Sequence, residues 1–225
     1  MKKNFALLFL VYYAFCGDIK PEKTVILDSS VLDLTYDGAS LYASSAKGDI
    51  YLAYPNKLQK LFSLPKIKTP YNEIVLQKAL SIDLFNKKIA IGAQDGNIYI
   101  GANKALAKSG FKTDSVIRKA LFVSDIKLII CLIDGQIVLY DMAQNKTIYS
   151  TQISHSPLND MALSADKKTA AIVGEAGYVY MFDVVSGKLK TTYKNVNLDN
   201  IYKLDYKSSY IITAGQDRRA TLLSD

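Results

Sequence analysis

The stretch EAGYVYMFD, Glu175–Asp183, decides the fold. Its Gly177 stands where a tight turn joins two apolar runs, TAAIVG before it and YVYMF after it. Glycine suits that position because the favoured two-residue hairpin turns need positive φ. The same arrangement recurs in SSAKGDIYLAY, GAQDGNIYIGA, LIDGQIVLYD and AGQDRRATLLSD. With Gly48, Gly96, Gly135, Gly177 and Arg218 as the common position, successive spacings are 48, 39, 42 and 41 residues. A period in this range is the signature of a repeat architecture, and about 40 residues is the length of one four-stranded unit.

Positions away from the turn follow the same register. Fourteen residues before it come Leu34, Ile82, Leu121, Leu163 and Leu204. Two residues after it come Ile50, Ile98, Ile137, Val179 and Ala220, and four after it Leu52, Ile100, Leu139, Met181 and Leu222. A spacing of two between apolar positions predicts strands, since alternate side chains of a strand share a face. Each unit therefore reads as an inner strand such as NDMALS, a second strand such as TAAIVG, and a third after the tight turn. A more polar fourth strand follows, in KLQKLFSL, NKTIYSTQI and GKLKTTYKN, with a composition suited to a solvent-facing rim. Arg218 breaks the glycine pattern, so either Asp217 relieves that turn or the turn is of another type.

A four-stranded sheet cannot bury both faces alone. Repeated sheets do so by stacking around an axis, which predicts an all-β chain built as a β-propeller. A β-sandwich of the same strands would not need so regular a period. Five repeats are recognisable, which raises the prospect of an incomplete ring; KTVILDSS, Lys23–Ser30, is placed to add a strand to the last blade and close it like a clasp.

The N-terminus reads differently. Lys2 and Lys3 precede the uncharged run Phe5–Phe15, and Gly17-Asp18 follow, the three parts of a secretory signal peptide. The eleven-residue run is shorter than the roughly 20 residues a helix needs to cross a bilayer. Small Ala14 and Cys16 put the predicted cut before Gly17, giving a leader over residues 1–16 and a single propeller domain over 17–225. Lipid attachment at Cys16 is the rival, disfavoured by bulky Phe15. Cleavage leaves Cys131 alone in KLIICLIDG, a buried strand cysteine, and excludes an intrachain disulfide. With Lys2 and Lys3 removed, 26 of the 28 basic residues remain against 21 acidic ones, and the formal net charge falls from +7 to +5. These lysines are dispersed, so no nucleic-acid partner is predicted.

At SHSPLNDMALSADKKTAAIVGEAGYVYMFDVVSGK, residues 154–188, the chain resembles one complete WD40-type repeat. Ser154-His155 stands in place of Gly-His, Ser164-Ala165-Asp166-Lys167 forms the first turn, and Phe182-Asp183 replaces Trp-Asp, with Tyr140-Asp141 in the same slot one blade earlier. The resemblance implies WD40-like four-stranded blades from about Val31 to Asp225. The family's buried histidine–aspartate–tryptophan network is not reproduced, since Ala176 occupies the turn-aspartate position and the chain contains no tryptophan. A narrower resemblance is to the NapL-type accessory proteins encoded with periplasmic nitrate reductases. It rests on a small exported propeller, a lysine- and tyrosine-rich composition and the closing TAGQDRRATLLSD, Thr213–Asp225.

Catalytic chemistry finds little support. One histidine, His155, excludes a multi-histidine metal site; one mature cysteine excludes a thiolate cluster; no Gly-x-Ser-x-Gly elbow occurs. The docking repeat of propeller quinoproteins needs tryptophan. Asp95, Asp134 and Asp217 could form an oxygen-ligand calcium site, but turn aspartates more commonly bond local backbone. Gly92–Gly96 and Gly215–Asp217 lead into strands, and so lack the helix N-terminus that cradles phosphate. No metal or cofactor is predicted. The expected function is an exported, periplasmic, non-enzymatic scaffold for protein binding, and the narrower resemblance implies a nitrate reductase component as partner. Alternatives are a metal-dependent lactonase- or lyase-type enzyme and an envelope-assembly lipoprotein. Expected partner contacts lie on the loops entering the inner strands: Tyr71, Asn72, Glu73, Ser115, Arg118, Asn159 and Asn200.

Overall fold

The computed structural model describes residues 24–54 and 57–224. The predicted leader, including both expectations for Cys16, lies outside the described residues. Among these the secondary structure is entirely strand, and no helix is long and apolar enough to cross a membrane.

Five sheets follow the predicted repeats. Blade 1 comprises β1 (Val31–Tyr36), β2 (Leu41–Ser45), β3 (Asp49–Tyr54) and β4 (Lys57–Ser63). A two-stranded ribbon, β5 (Ile67–Lys68) and β6 (Ile74–Val75), comes next. Blade 2 holds β7 (Ala79–Phe85), β8 (Lys88–Ala93), β9 (Asn97–Ala102) and β10 (Ala105–Lys112). Blade 3 holds β11 (Ile117–Ser124), β12 (Lys127–Leu132), β13 (Gln136–Asp141) and β14 (Lys146–Gln152). Blade 4 holds β15 (Leu158–Leu163), β16 (Thr169–Gly174), β17 (Val179–Asp183) and β18 (Lys188–Tyr193). Blade 5 has three strands among the described residues, β19 (Ile201–Lys207), β20 (Tyr210–Gly215) and β21 (Ala220–Ser224). Within each blade neighbours in sequence pair antiparallel. The first repeat spacing, 48 residues against 39–42 elsewhere, is longer because it contains the β5–β6 ribbon.

Stacking explains why the middle strands are apolar throughout. Along β12, Leu128 and Ile130 face blade 2 and pack with Ala90, Ile98 and Phe122, whereas Ile129 and Cys131 face blade 4 and pack with Ile172 and Phe182. Along β17, Tyr180 and Phe182 join the core shared with blade 3, and Val179 and Met181 join the core shared with blade 5. A fourth interface, between blades 1 and 2, is filled by Ile50, Leu64, Ile82, Ile91 and Tyr99. Fully burying each such side chain contributes roughly 1.5–3 kcal/mol. Outer strands bury little, as their polar sequences predict, but each sends one aromatic inward: Phe62, Phe111, Tyr149 and Tyr193.

Two expectations need correction. Pairing makes Leu34, Ile82, Ala120, Met161 and Leu204 equivalent, each opposite the residue five before the turn position. Leu121 and Leu163 are therefore out of register, by one residue at a bulge between Phe122 and Ser124 and by two in the longer turn after Leu163. The second correction concerns the clasp. Residues 24–30 form no strand and do not join blade 5. They lie against blade 1 instead: Asp28 pairs with Lys47 at 3.0 Å and accepts from the Tyr51 hydroxyl at 3.4 Å, and Ser30 accepts from the Ala46 amide at 2.9 Å.

Candidate functional site

Four antiparallel strands in chain order place the glycine turn and the connection to the next blade at the same end of every blade. Here each glycine turn is the seat of the incoming loop. The carbonyls of Gly48, Gly96 and Gly135 accept from Leu64, Thr113 and Ile153 at 2.9–3.0 Å, and that of Gly177 accepts from Val196 at 3.1 Å. All four glycines have φ between 69° and 92°, and a Cβ would meet a loop carbonyl at 1.8 to 2.5 Å. Arg218 adopts the same conformation, with φ of 64°, and Asp217 accepts from the Arg219 amide at 3.1 Å. The fifth turn is thus of the same type. The Arg218 side chain is exposed.

On this loop face the ribbon between blades 1 and 2 carries large exposed side chains, with Tyr71 87% and Ile74 72% exposed. Its tip closes through the Asn72 amide to the Thr69 carbonyl (3.0 Å) and the Thr69 amide to the Glu73 carbonyl (2.8 Å). Buried Gln77 anchors its base, donating to the Pro65 carbonyl at 2.7 Å and accepting from the Asp95 amide at 3.3 Å. Exposed Leu76, Val116 and Leu198 extend the apolar character to the loops before blades 2, 3 and 5.

The seven expected contact residues divide into three groups. Tyr71, Asn72 and Glu73 are exposed at the ribbon tip. Ser115, just before β11, and Arg118, within it, are half-buried, and the Ser115 hydroxyl and Arg118 Nε are buried atoms without a hydrogen-bond partner. Asn159 and Asn200 come together across blades 4 and 5, the Asn159 amide donating to Asn200 Oδ1 and to the Ile201 carbonyl at 2.9 Å. His155 is exposed, and Cys131 is buried in the core between blades 3 and 4, where burial pushes its thiol up. Among the described residues no three His, Cys, Asp or Glu side chains are grouped to hold a metal. Asp95 and Asp134 instead accept from the amides of Asn97 and Gln136 in their own turns.

Sequence reasoning missed the axial channel. Every inner strand carries a bulge after its first residue, and the bulge re-aims the next side chain. That position holds Asp33, Ser81, Lys119, Asp160 and Lys203 in turn. Lys119 Nζ bonds both Asp33 oxygens at 2.7 Å and lies 4.0 Å from Asp160 Oδ1. Lys203 Nζ is 3.8 Å from both Asp33 and Asp160, linking blade 5 to blade 1 across the axis. The carboxylates also stitch neighbouring blades, Asp33 accepting from the Ile82 amide (2.9 Å), Asp83 from Phe122 (2.7 Å) and Asp160 from Leu204 (3.2 Å). Burial raises the Asp160 carboxyl above its ordinary range despite Lys119 and Lys203, and raises Asp83 despite the Phe122 and Leu84 amides. Burial opposes the charge on Lys119, but Asp33 and Asp160 outweigh it and hold that ammonium up. A charged residue at one fixed place in four of the five inner strands was the available signal, obscured because the bulge displaces it from strict alternation.

No family model matches the chain. It is 27% identical over 148 residues, 63% of its length, to telomerase protein component 1 of Rattus norvegicus, and 26% identical over 109 residues, 48% of its length, to that of Mus musculus. It spans only 5% and 4% of those two proteins. Among solved structures, the computationally designed Ika8 protein superimposes with a TM-score of 0.67 at 16% identity, covering 88% of this chain and 59% of the designed one. Together with the five stacked antiparallel sheets, that likeness gives the fold: an all-β propeller arrangement of WD40-like blades.

Proposed function

We propose that the chain is an exported, non-enzymatic scaffold that binds another protein through its loop face. The observation that carries this is the β5–β6 ribbon, which presents Tyr71 and Ile74 to solvent on a base fixed by Gln77. Exposed apolar side chains on a rigid base suit recognition, because little conformational freedom is lost when a partner covers them. The finer proposal places the protein in the periplasm with a nitrate reductase component as partner. It draws on the signal-like N-terminus and on the resemblance of Thr213–Asp225.

Capture from a periplasmic extract with the wild-type chain and with the Tyr71→Ala/Ile74→Ser variant tests both. Recovery of a nitrate reductase component by the wild type alone is expected, with slower nitrate reduction in a strain lacking the protein. Equal recovery by the variant overturns the ribbon as the contact. No such component, together with unchanged nitrate reduction, overturns the finer proposal. A stoichiometric divalent ion in purified protein would favour the lactonase- or lyase-type alternative.

A further inference from the structure

We propose that the groove between blades 1 and 2 binds a free aromatic carboxylate, a small molecule with a ring and one anionic group. The groove lies at the end of the blades opposite the loop face and does not depend on the function proposed there. It follows from one change in the repeat. The fifth residue after the turn position is Tyr140 in blade 3 and Phe182 in blade 4, each buried against the preceding blade. Each ring meets an aromatic from that blade's outer strand: the ring centres of Phe111 and Tyr140 are 5.3 Å apart, and those of Tyr149 and Phe182 are 6.0 Å apart.

In blade 2 the same position is Gly101. Phe62 of blade 1 still arrives, so close that a Cβ on Gly101 would stand 2.6 Å from its ring, but no second ring pairs with it among the described residues. A cavity of about 680 Å³ lies beside Phe62, within the range of small-molecule sites. Leu61, Phe62, Leu84 and Phe85, all half-buried, give it an apolar lining, and Tyr36 and Tyr42 of blade 1 add two further rings. A ligand ring stacked on Phe62 restores the aromatic pair that the next two interfaces possess.

Charge selects an anion. Two hairpin turns of blade 2 line the groove, Asn86-Lys87 between β7 and β8 and Asn103-Lys104 between β9 and β10. All four residues have φ between 48° and 66°, the conformation of a tight two-residue turn. Asn86 donates to both Asp125 oxygens at 3.0 and 3.1 Å, tying the first turn to blade 3. Lys87 and Lys104 are exposed and have no ion-pair or hydrogen-bond partner among the described residues. The third lining lysine, Lys60, is engaged by Asp49 at 2.8 Å. The one lining carboxylate, Asp37, already accepts from the Ala39 and Ser40 amides and the Tyr42 hydroxyl. Two free, accessible ammonium groups beside an aromatic wall suit a carboxylate on a ring.

Calorimetry with naphthoate, naphthylmethanol and naphthylmethylammonium tests this, since the three probes share a ring system and differ in charge. Naphthoate is expected to bind about fivefold tighter than the alcohol, with the amine weakest. The preference for the anion should vanish in Lys87→Met/Lys104→Met and fade at high salt, because both lysines are exposed. Tyr36→Ser, a second variant at an exposed wall residue, should weaken all three probes alike with the lysines intact. Thermal melts confirm that each variant is folded. No binding of any probe by the folded wild type, equal binding of all three, or an unchanged preference in the folded double variant overturns the proposal. An acetylated Asp-Phe amide that binds where naphthoate does not places a partner's side chains in the groove and overturns the free ligand.

Discussion

Blades 4 and 5 carry the same strand pattern and bury it differently. In blade 4, β17 reads Val179-Tyr180-Met181-Phe182, and all four side chains are buried between blades 3 and 5. The corresponding residues of β21, Ala220-Thr221-Leu222-Leu223, alternate between exposed and half-buried, because among the described residues only blade 4 covers them. Position in the stack, rather than hydrophobicity, sets the contribution of each strand. Met181 is 1% exposed and its equivalent Leu222 is 63% exposed. Met181→Ala should therefore cost about 2–5 kcal/mol in urea unfolding, whereas Leu222→Ala should stay within about 0.5 kcal/mol. Comparable losses at both sites would break the comparison, showing that the outer face of blade 5 is covered in solution.

The turns sharpen the same contrast at a smaller scale. At Gly135 (φ of 92°) a Cβ would lie 1.9 Å from the Ser154 carbonyl oxygen, which belongs to the loop leading into blade 4. Arg218 holds a similar backbone, φ of 64°, with its side chain exposed. Gly135→Ala is expected to cost about 1–3 kcal/mol, from left-handed strain and the displaced loop. Arg218→Gly relieves the strain while freeing the unfolded chain, so a change of under about 1 kcal/mol is expected. Thermal melts of the two variants check this pair. A large loss in Arg218→Gly would mean that the arginine side chain supports blade 5 by itself.

Turn glycines and period two made the blades legible in the sequence, because each depends on local backbone geometry. Gly48, Gly96, Gly135 and Gly177 all turned out to be required twice over, by φ and by close approach. The β5–β6 ribbon was visible only as an overlong first spacing, since strands of two residues carry no periodicity. Register within the inner strands was not legible: a bulge and a longer turn shift Leu121 and Leu163 while leaving them apolar. For the same reason the channel escaped notice. Asp33, Lys119, Asp160 and Lys203 are far apart in sequence, and only stacking brings each lysine to 4.0 Å or less from both aspartates. Tyr71, Asn72 and Glu73, by contrast, read as loop residues from the sequence alone and lie exposed at the ribbon tip.

The bulge position provides the finest comparison between the two blades, with Asp160 in blade 4 and Lys203 in blade 5. Asp160 is 3% exposed and its carboxyl titrates above the ordinary 3.8 in the folded chain, chiefly through burial. The Lys203 side chain is 57% exposed. A carboxyl whose folded pKa exceeds its unfolded one holds its proton more tightly in the native state, so stability falls as pH rises from 3.8 through the raised value. Asp83 acts in the same sense, while Asp49 is a counterexample: burial raises its carboxyl, but Lys60, Ser63 and Tyr51 together hold it low. Below 3.8 the lowered groups dominate, and stability falls again with acid. Urea titrations from pH 4 upward should show the wild type losing stability more steeply than Asp160→Asn, an effect smaller than the other two. Lys203→Met removes a cation facing Asp160 and should steepen the wild-type slope. A slope unchanged in both variants would show that Lys119 alone keeps Asp160 ionised and that the blade 5 lysine contributes nothing to the axis.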